Sequence, residues 1–343
     1  MSDTSFGLKI DYITDVKMTS PFYRLPCDDR MTPLPVGRKN LWKFYLVHMN
    51  AFWTPGEIDM SRDRNDFMYK LGKGMRRAVK YIIAFFASAD KIVNVNIGER
   101  FRREVDIPEA QMFYNFQAAM EDIHAVTYAQ LRDRIIPDLA EQQELIDAFK
   151  TMPVVRKMID YMLETVNSDE PFAVRLLKMA CVEGIFFQGC FVIPEYLAKL
   201  GLMPGLTQSN ELIRLDEGLH TEFSLELYNT MMPQCKLTTA QVHNVVDRAV
   251  NIAIEFMNEA VKDDIPEINS TMMAEYLRNQ ADVIVSKINY DIPYGCGNPF
   301  PFMDRFNMNS RINNFERKNT SYSRAQLTIG LEDETDAPEY DNF

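Results

Sequence analysis

Apolar residues recur at three- and four-residue intervals along most of this chain, the repeat of helices that bury one face. Leu41, Phe44, Tyr45, His48 and Phe52 follow that spacing and predict a helix over 40–53, closed by the turn signal Thr54-Pro55-Gly56. After a polar stretch over 59–66, the pattern predicts a long helix over 74–103 that contains Tyr81-Ile82-Ile83-Ala84-Phe85-Phe86 and then Asp90. A carboxylate in such surroundings needs a partner. Asp106-Ile107-Pro108-Glu109 reads as a helix start, with Asp106 as cap, proline in the first turn and Glu109 at the capping-box position. That helix is expected to reach 136, with shorter ones over 138–149 and 152–166. A further long helix over 171–200 should kink at Pro194 and stop at Gly201. Thr207 is expected to cap a helix of about 25 residues that ends before Pro233. Two more are predicted over 239–263 and 270–288. Neither strand alternation nor a solenoid-length repeat is visible, so the expected fold class is all-α, a bundle of long helices.

The pattern also divides the chain. Residues 1–39, broken by Pro21, Pro26, Pro33 and Pro35, read as an N-terminal arm, 40–290 as the helical domain, and 291–343 as a flexible tail. The tail ends in the acidic run 331–343, which carries Tyr340 and Phe343 and buries too little to order itself. It has the make-up of a docking peptide with aromatic anchors, although composition alone fits a frayed end equally well. With 46% hydrophobic and 25% charged residues the chain is globular. No apolar run of membrane length and no leader pattern are apparent, so a cytoplasmic protein with no membrane contact is expected. The net charge of -12 argues against a general nucleic-acid binder, which needs a basic surface. Five scattered cysteines without a Cys-x-x-Cys spacing speak against a disulfide framework and a cysteine zinc site.

The candidate chemistry lies in a repeated Glu-x-x-His. Glu121 and His124 form one copy, Glu217 and His220 the other, and helical residues three apart share a face. Two such helices plus one carboxylate from each of two others is the pattern by which helical bundles hold a pair of metal ions. Asp90 and Glu183 are the available single carboxylates. Four carboxylates balance two divalent cations, and mixed oxygen and nitrogen donors without thiolate suit iron or manganese, with zinc still open. Taken singly, each of the six is more often a salt-bridged or surface residue; together, on apolar helices, they point to a metal centre. Tyr128 lies one turn after His124, where its phenol could be oxidised beside a metal pair. Phe187, Phe191 and Ile213 are spaced to make a dry pocket for it, whereas an ordinary core tyrosine would hydrogen-bond its hydroxyl.

Several stretches together resemble a known family from about Trp53 to the C-terminus. They are Phe52-Trp53, Glu57-Ile58-Asp59-Met60-Ser61-Arg62-Asp63, Phe85-Phe86-Ala87-Ser88-Ala89-Asp90 with Ile92-Val93-Asn94, and Glu121-Asp122-Ile123-His124 with Tyr128. Further along come Glu183-Gly184-Ile185-Phe186-Phe187, Gly201-Leu202-Met203-Pro204-Gly205-Leu206-Thr207, Ser209-Asn210-Glu211-Leu212-Ile213 and Asp216-Glu217-Gly218-Leu219-His220. In these the chain resembles the small, radical-generating subunit of class I ribonucleotide reductase.

The resemblance implies a ferritin-like bundle in which Asp90, Glu121, His124, Glu183, Glu217 and His220 ligate two iron ions per chain, or manganese. It implies that oxygen reacts there to leave a stable radical on Tyr128. Trp53 and Asp216 would begin a radical-transfer route, with Asp216 hydrogen-bonded to His124 and the indole, and Tyr322 in the tail would pass the radical on. The implied partners are a second copy of the chain and, through the tail, a large subunit that reduces ribonucleoside diphosphates. Thioredoxin or glutaredoxin would be involved only indirectly. Two other readings compete: a dimetal oxidase with its own small substrate, which needs no radical exit, and a metal store, which needs neither Tyr128 nor the apolar pocket.

Overall fold

The computed structural model describes residues 20–306. In chain order the helices are α1 (Lys39–Asn50), α2 (Asp63–Tyr69), α3 (Lys73–Asn96), α4 (Arg102–Glu104), α5 (Pro108–Ile135), α6 (Leu139–Ile146), α7 (Ala148–Thr151), α8 (Pro153–Asn167), α9 (Phe172–Cys181), α10 (Gln188–Lys199), α11 (Pro204–Asn229), α12 (Thr239–Ala260) and α13 (Ser270–Lys287). π-Helical segments join α3 to α4 (Ile97–Phe101) and α9 to α10 (Val182–Phe187). Among the described residues there are no strands, only the isolated bridges Phe22–Met231 and Ile265–Ile268.

The inner layer consists of α3, α5, α11 and the α9–α10 rod, with α1 packed across α5 and α11 and with α8, α12 and α13 closing the far side. Spacing explains the packing. On α3 the buried positions Ala78, Val79, Ile82, Ile83, Phe86, Ala89, Asp90 and Val93 form one stripe.

Phe172–Lys199 is long and apolar enough to cross a membrane by length and composition, contrary to the sequence expectation. Arg175, Lys178, Glu183 and Gln188 interrupt its apolar run, yet all are buried, and the apolar window lies wholly inside the bundle. A helix that is apolar on every side is a core element here. It runs through Pro194 within α10, and its irregularity lies instead at the π-helical turn that carries Glu183. Gly184 lets that turn pack closely on α11 and α13, since a Cβ there would stand 2.8 Å from Ile284 Cδ1 and 3.0 Å from Thr221 Cγ2.

Neither expected cap is used, and only α11 gains a tertiary one in its place. Asp106 is not the cap of α5: Ile107 occupies that position ahead of Pro108, and Asp106 accepts hydrogen bonds from Ser20 Oγ (3.0 Å) and Arg24 (3.2 Å). Glu109 is buried and accepts from the Gly37 N–H at 2.7 Å, and it pairs with Arg30. These contacts fasten the described part of the arm to the bundle. Thr207 lies inside α11, whose cap residue is Met203 in the left-handed region (φ 52). The free N–H groups of that helix end are met from α2: Gly205 and Leu206 donate to Asp63 at 2.8 and 2.7 Å, and Met203 donates to Asp66 at 2.9 Å. A short helix thus occupies part of the polar stretch over 59–66.

The boundary placed at 291 is not where packing ends. Asp282 accepts from the Tyr294 and Cys296 N–H groups at 3.0 Å each, and Phe300 and Met303 are buried. Tyr322 and the run 331–343 lie outside the described residues.

Candidate metal centre

The Glu-x-x-His spacing works as helical geometry requires. Glu121 and His124 project from α5, Glu217 and His220 from α11, and all four are buried. Glu183 enters from the π-helical turn and Asp90 from α3, also buried. Donor atoms of Glu121, Glu183, Glu217 and His220 lie within 4.8 Å of one another. His124 and Asp90 flank that group.

Each imidazole turns Nδ1 inward. His124 Nδ1 lies 3.1 Å from Glu217 Oε1 and 3.5 Å from Glu121 Oε2, and His220 Nδ1 lies 3.1 Å from Glu217 Oε2 and 3.3 Å from Glu121 Oε1. Glu121 and Glu217 therefore each offer one oxygen to each imidazole, which divides the site into two halves with two carboxylates spanning them. Glu183 Oε1 stands 4.0 Å from His220 Nδ1, on that half.

The electrostatics show a site short of positive charge. Burial, followed by the neighbouring Glu121 charge, pushes Asp90 well above the carboxylate range, and burial also raises Glu183. Burial would lower His124 and His220, yet the carboxylates around them win, raising His124 well above its usual value and His220 to about 10. Burial opposes ionisation of Glu121, but the two imidazoles hold it at about 2. Both Asp90 oxygens, both Glu121 oxygens, Glu183 Oε2, Glu217 Oε1 and His124 Nδ1 are buried without a hydrogen-bond partner. Buried polar atoms are nearly always satisfied, and so many orphans facing one space fit a cation site rather than an ion-pair network. The donor set of carboxylates and imidazoles fits iron or manganese.

The outer nitrogens are held as metal-ligating imidazoles usually are. His124 Nε2 lies 3.0 Å from Asp216 Oδ2, and the Trp53 indole donates to the same oxygen at 2.8 Å. Trp53 and His124 stack, with ring centroids 5.9 Å apart and an interplanar angle of 18°.

Tyr128 is buried, its hydroxyl has no partner, and burial followed by the Asp90 charge pushes its pKa well above the phenol range. Its ring stacks on Phe86, centroids 4.4 Å apart, and Phe86 in turn meets Phe187 (5.1 Å) and Phe191 (5.8 Å). Ile213 is fully buried in the same core.

Three site residues escaped the sequence reading. Phe86 supplies the face against Tyr128; it lies one turn before Asp90, a spacing that could have drawn attention to it. Gln117, one turn before Glu121, donates to Glu183 Oε1 at 2.8 Å. His48, on α1, faces His220 Nε2 at 3.3 Å, and burial, followed by the two neighbouring imidazoles, lowers its pKa well below the usual value. Nothing in the local sequence distinguishes it from an ordinary core position.

A helical bundle whose core carries two carboxylate-histidine helices and two further carboxylates defines a dimetal-carboxylate protein of the ferritin-like class. The sequence profile described as ribonucleotide reductase, small chain, matches residues 30–299, and the chain belongs to that family. It is 40% identical to a ribonucleoside-diphosphate reductase small chain of Trypanosoma brucei brucei, over 87% of this chain and 88% of the relative. It is 38% identical to that of Encephalitozoon cuniculi, over 91% and 94%. Among solved structures it is similar to the Rnr4 homodimer of Saccharomyces cerevisiae, with TM-score 0.72 and 25% identity over 84% of this chain and 90% of that one. The fold is also shared with the ribonucleotide reductase R2 subunit from Clostridium botulinum, with TM-score 0.72 and 20% identity over 79% and 88%.

Proposed function

We propose that this chain, a ribonucleotide reductase small subunit with a role in deoxyribonucleotide synthesis, holds two iron ions between Asp90, Glu121, His124, Glu183, Glu217 and His220 and stores its radical on Tyr128. Bound there, the iron pair would supply, with dioxygen, the oxidising equivalent. The chain's own residues set where that equivalent can go. Tyr128 is the oxidisable group within the dry face built by Phe86, Phe187 and Phe191, which keeps water and reductants away from it. Its hydroxyl is not tied to an acceptor, and Asp90 is the charge that acts on it most strongly.

The observation that carries the reading is the string His124–Asp216–Trp53. One carboxylate oxygen takes hydrogen bonds from both a ligand imidazole and an indole, and Trp53 adjoins Phe52, which is more than half exposed. That arrangement connects the centre by hydrogen bonds to an indole one residue from the exposed surface, a route that an oxidase acting on its own substrate would not need. The partner receiving the equivalent is the large subunit, where ribonucleoside diphosphates are reduced, with Tyr322 as relay and residues 331–343 as anchor. Two copies of the chain pair in the cytoplasm.

Metal-free protein given ferrous iron and oxygen should develop a tyrosyl signal in electron paramagnetic resonance and then support ribonucleoside-diphosphate reduction with its large subunit. Deleting 331–343 should leave the signal and abolish reduction. Absence of the signal after two equivalents of iron are bound, or full reduction by the truncated chain, would refute this assignment.

A further inference from the structure

The two ligand imidazoles are not backed in the same way. His124 has a carboxylate behind it, whereas His220 Nε2 faces His48 Nε2 at 3.3 Å, with the His48 ring fully buried against Phe113 and Phe116. His48 Nε2 is 3.8 Å from Asp216 Oδ1, beyond hydrogen-bond range. Its other nitrogen, Nδ1, has no partner. Two nitrogens 3.3 Å apart can share one proton; two facing N–H groups would repel, and two lone pairs would leave both buried nitrogens unsatisfied. His220 turns Nδ1 to the carboxylates, so as a metal ligand through that atom it must carry its proton on Nε2.

We propose that His48 is the positioning residue of the His220 half: its unprotonated Nε2 accepts the outer N–H of His220 and so locks that imidazole in the tautomer that presents Nδ1 to a metal. Asp216 has this role for His124, and His48 supplies a neutral equivalent from α1, a helix that contributes no ligand. The inference rests on the two-metal reading given above. Its consequence is selective: loss of the acceptor should weaken one metal position and spare the other.

Binding of manganese(II) to the metal-free full-length chain, counted from the signal of the free ion, tests it without any turnover. His48→Leu keeps an apolar side chain between Phe113 and Phe116 but removes the acceptor. One manganese should bind as in the wild type and the second about 10–100-fold more weakly, the usual cost of losing such a partner. His48→Gln, which restores an acceptor, should recover most of the loss. Equal weakening of both positions, or of neither, would overturn the proposal. A second measurement needs no substitution. The chain has only four histidines, so 15N-histidine-labelled protein loaded with zinc(II) should show the His48 ring protonated at Nδ1 and bare at Nε2. A His48 ring protonated at Nε2 would overturn the proposal directly. A wild-type chain that takes up neither ion would overturn the two-metal reading, and the proposal with it.

Discussion

Removing the Tyr128 hydroxyl should stabilise the metal-free protein while abolishing the radical. The hydroxyl is buried with no hydrogen-bond partner, and the ring it belongs to stacks on Phe86 at 4.4 Å. A buried unsatisfied polar group costs about 1–3 kcal/mol, and Tyr128→Phe relieves that cost without changing the ring contact. The unfolding entropy of a chain of 343 residues, at about 2 cal/mol/K per residue, converts the gain into a rise of roughly 1–4 °C in Tm. Calorimetry of both proteins without metal measures that shift. Metal uptake should be unchanged, and electron paramagnetic resonance after iron and oxygen should show no tyrosyl signal. A variant that melts below the wild type would mean that the hydroxyl has a partner in solution. A full-strength tyrosyl signal would move the radical to another residue.

Three further outcomes follow from the geometry. Glu183→Ala leaves two cations facing three carboxylates instead of four, so metal stoichiometry by elemental analysis should fall below two per chain while helical circular dichroism persists; retention of two ions at wild-type affinity would exclude Glu183 as a ligand. Asp216→Asn removes the charge that holds His124 Nε2 and the Trp53 indole, and should lower metal affinity about 10–100-fold and shift Trp53 fluorescence; no change in either would sever the string argued above. Gly205→Ala places a Cβ 2.8 Å from Met60 Cα and 2.9 Å from Asp63 Oδ2, displacing the carboxylate that caps α11, so chemical denaturation should show a loss of about 2 kcal/mol or more; wild-type stability would mean that α2 yields freely.

The long helices and the six candidate ligands are legible in the chain's own spacing. Spacing of three and four residues is local, so the α3 stripe and the two Glu-x-x-His pairs could be read without knowing what packs on them. Composition likewise separated the helical core from the acidic end. Caps are not legible locally: a Thr or Asp near a helix start satisfies the local rule, whereas here the free N–H groups of α11 are met by Asp63, which precedes them by some 140 positions in the chain. The long helix over 171–200 is legible from its spacing, but its membrane-length apolarity is not, because charged residues break the hydropathy pattern and only their burial against neighbouring helices shows the whole rod to be core. The division of Glu121 and Glu217 between two imidazoles is decided by how α5 and α11 pack against each other. So is the placement of Phe86 against Tyr128, and of His48 behind His220. A histidine at an ordinary buried position of α1 has no local mark of its role; the hydrogen bond that defines it joins residues 172 apart in the chain, and only the packing of α1 against α11 brings them together.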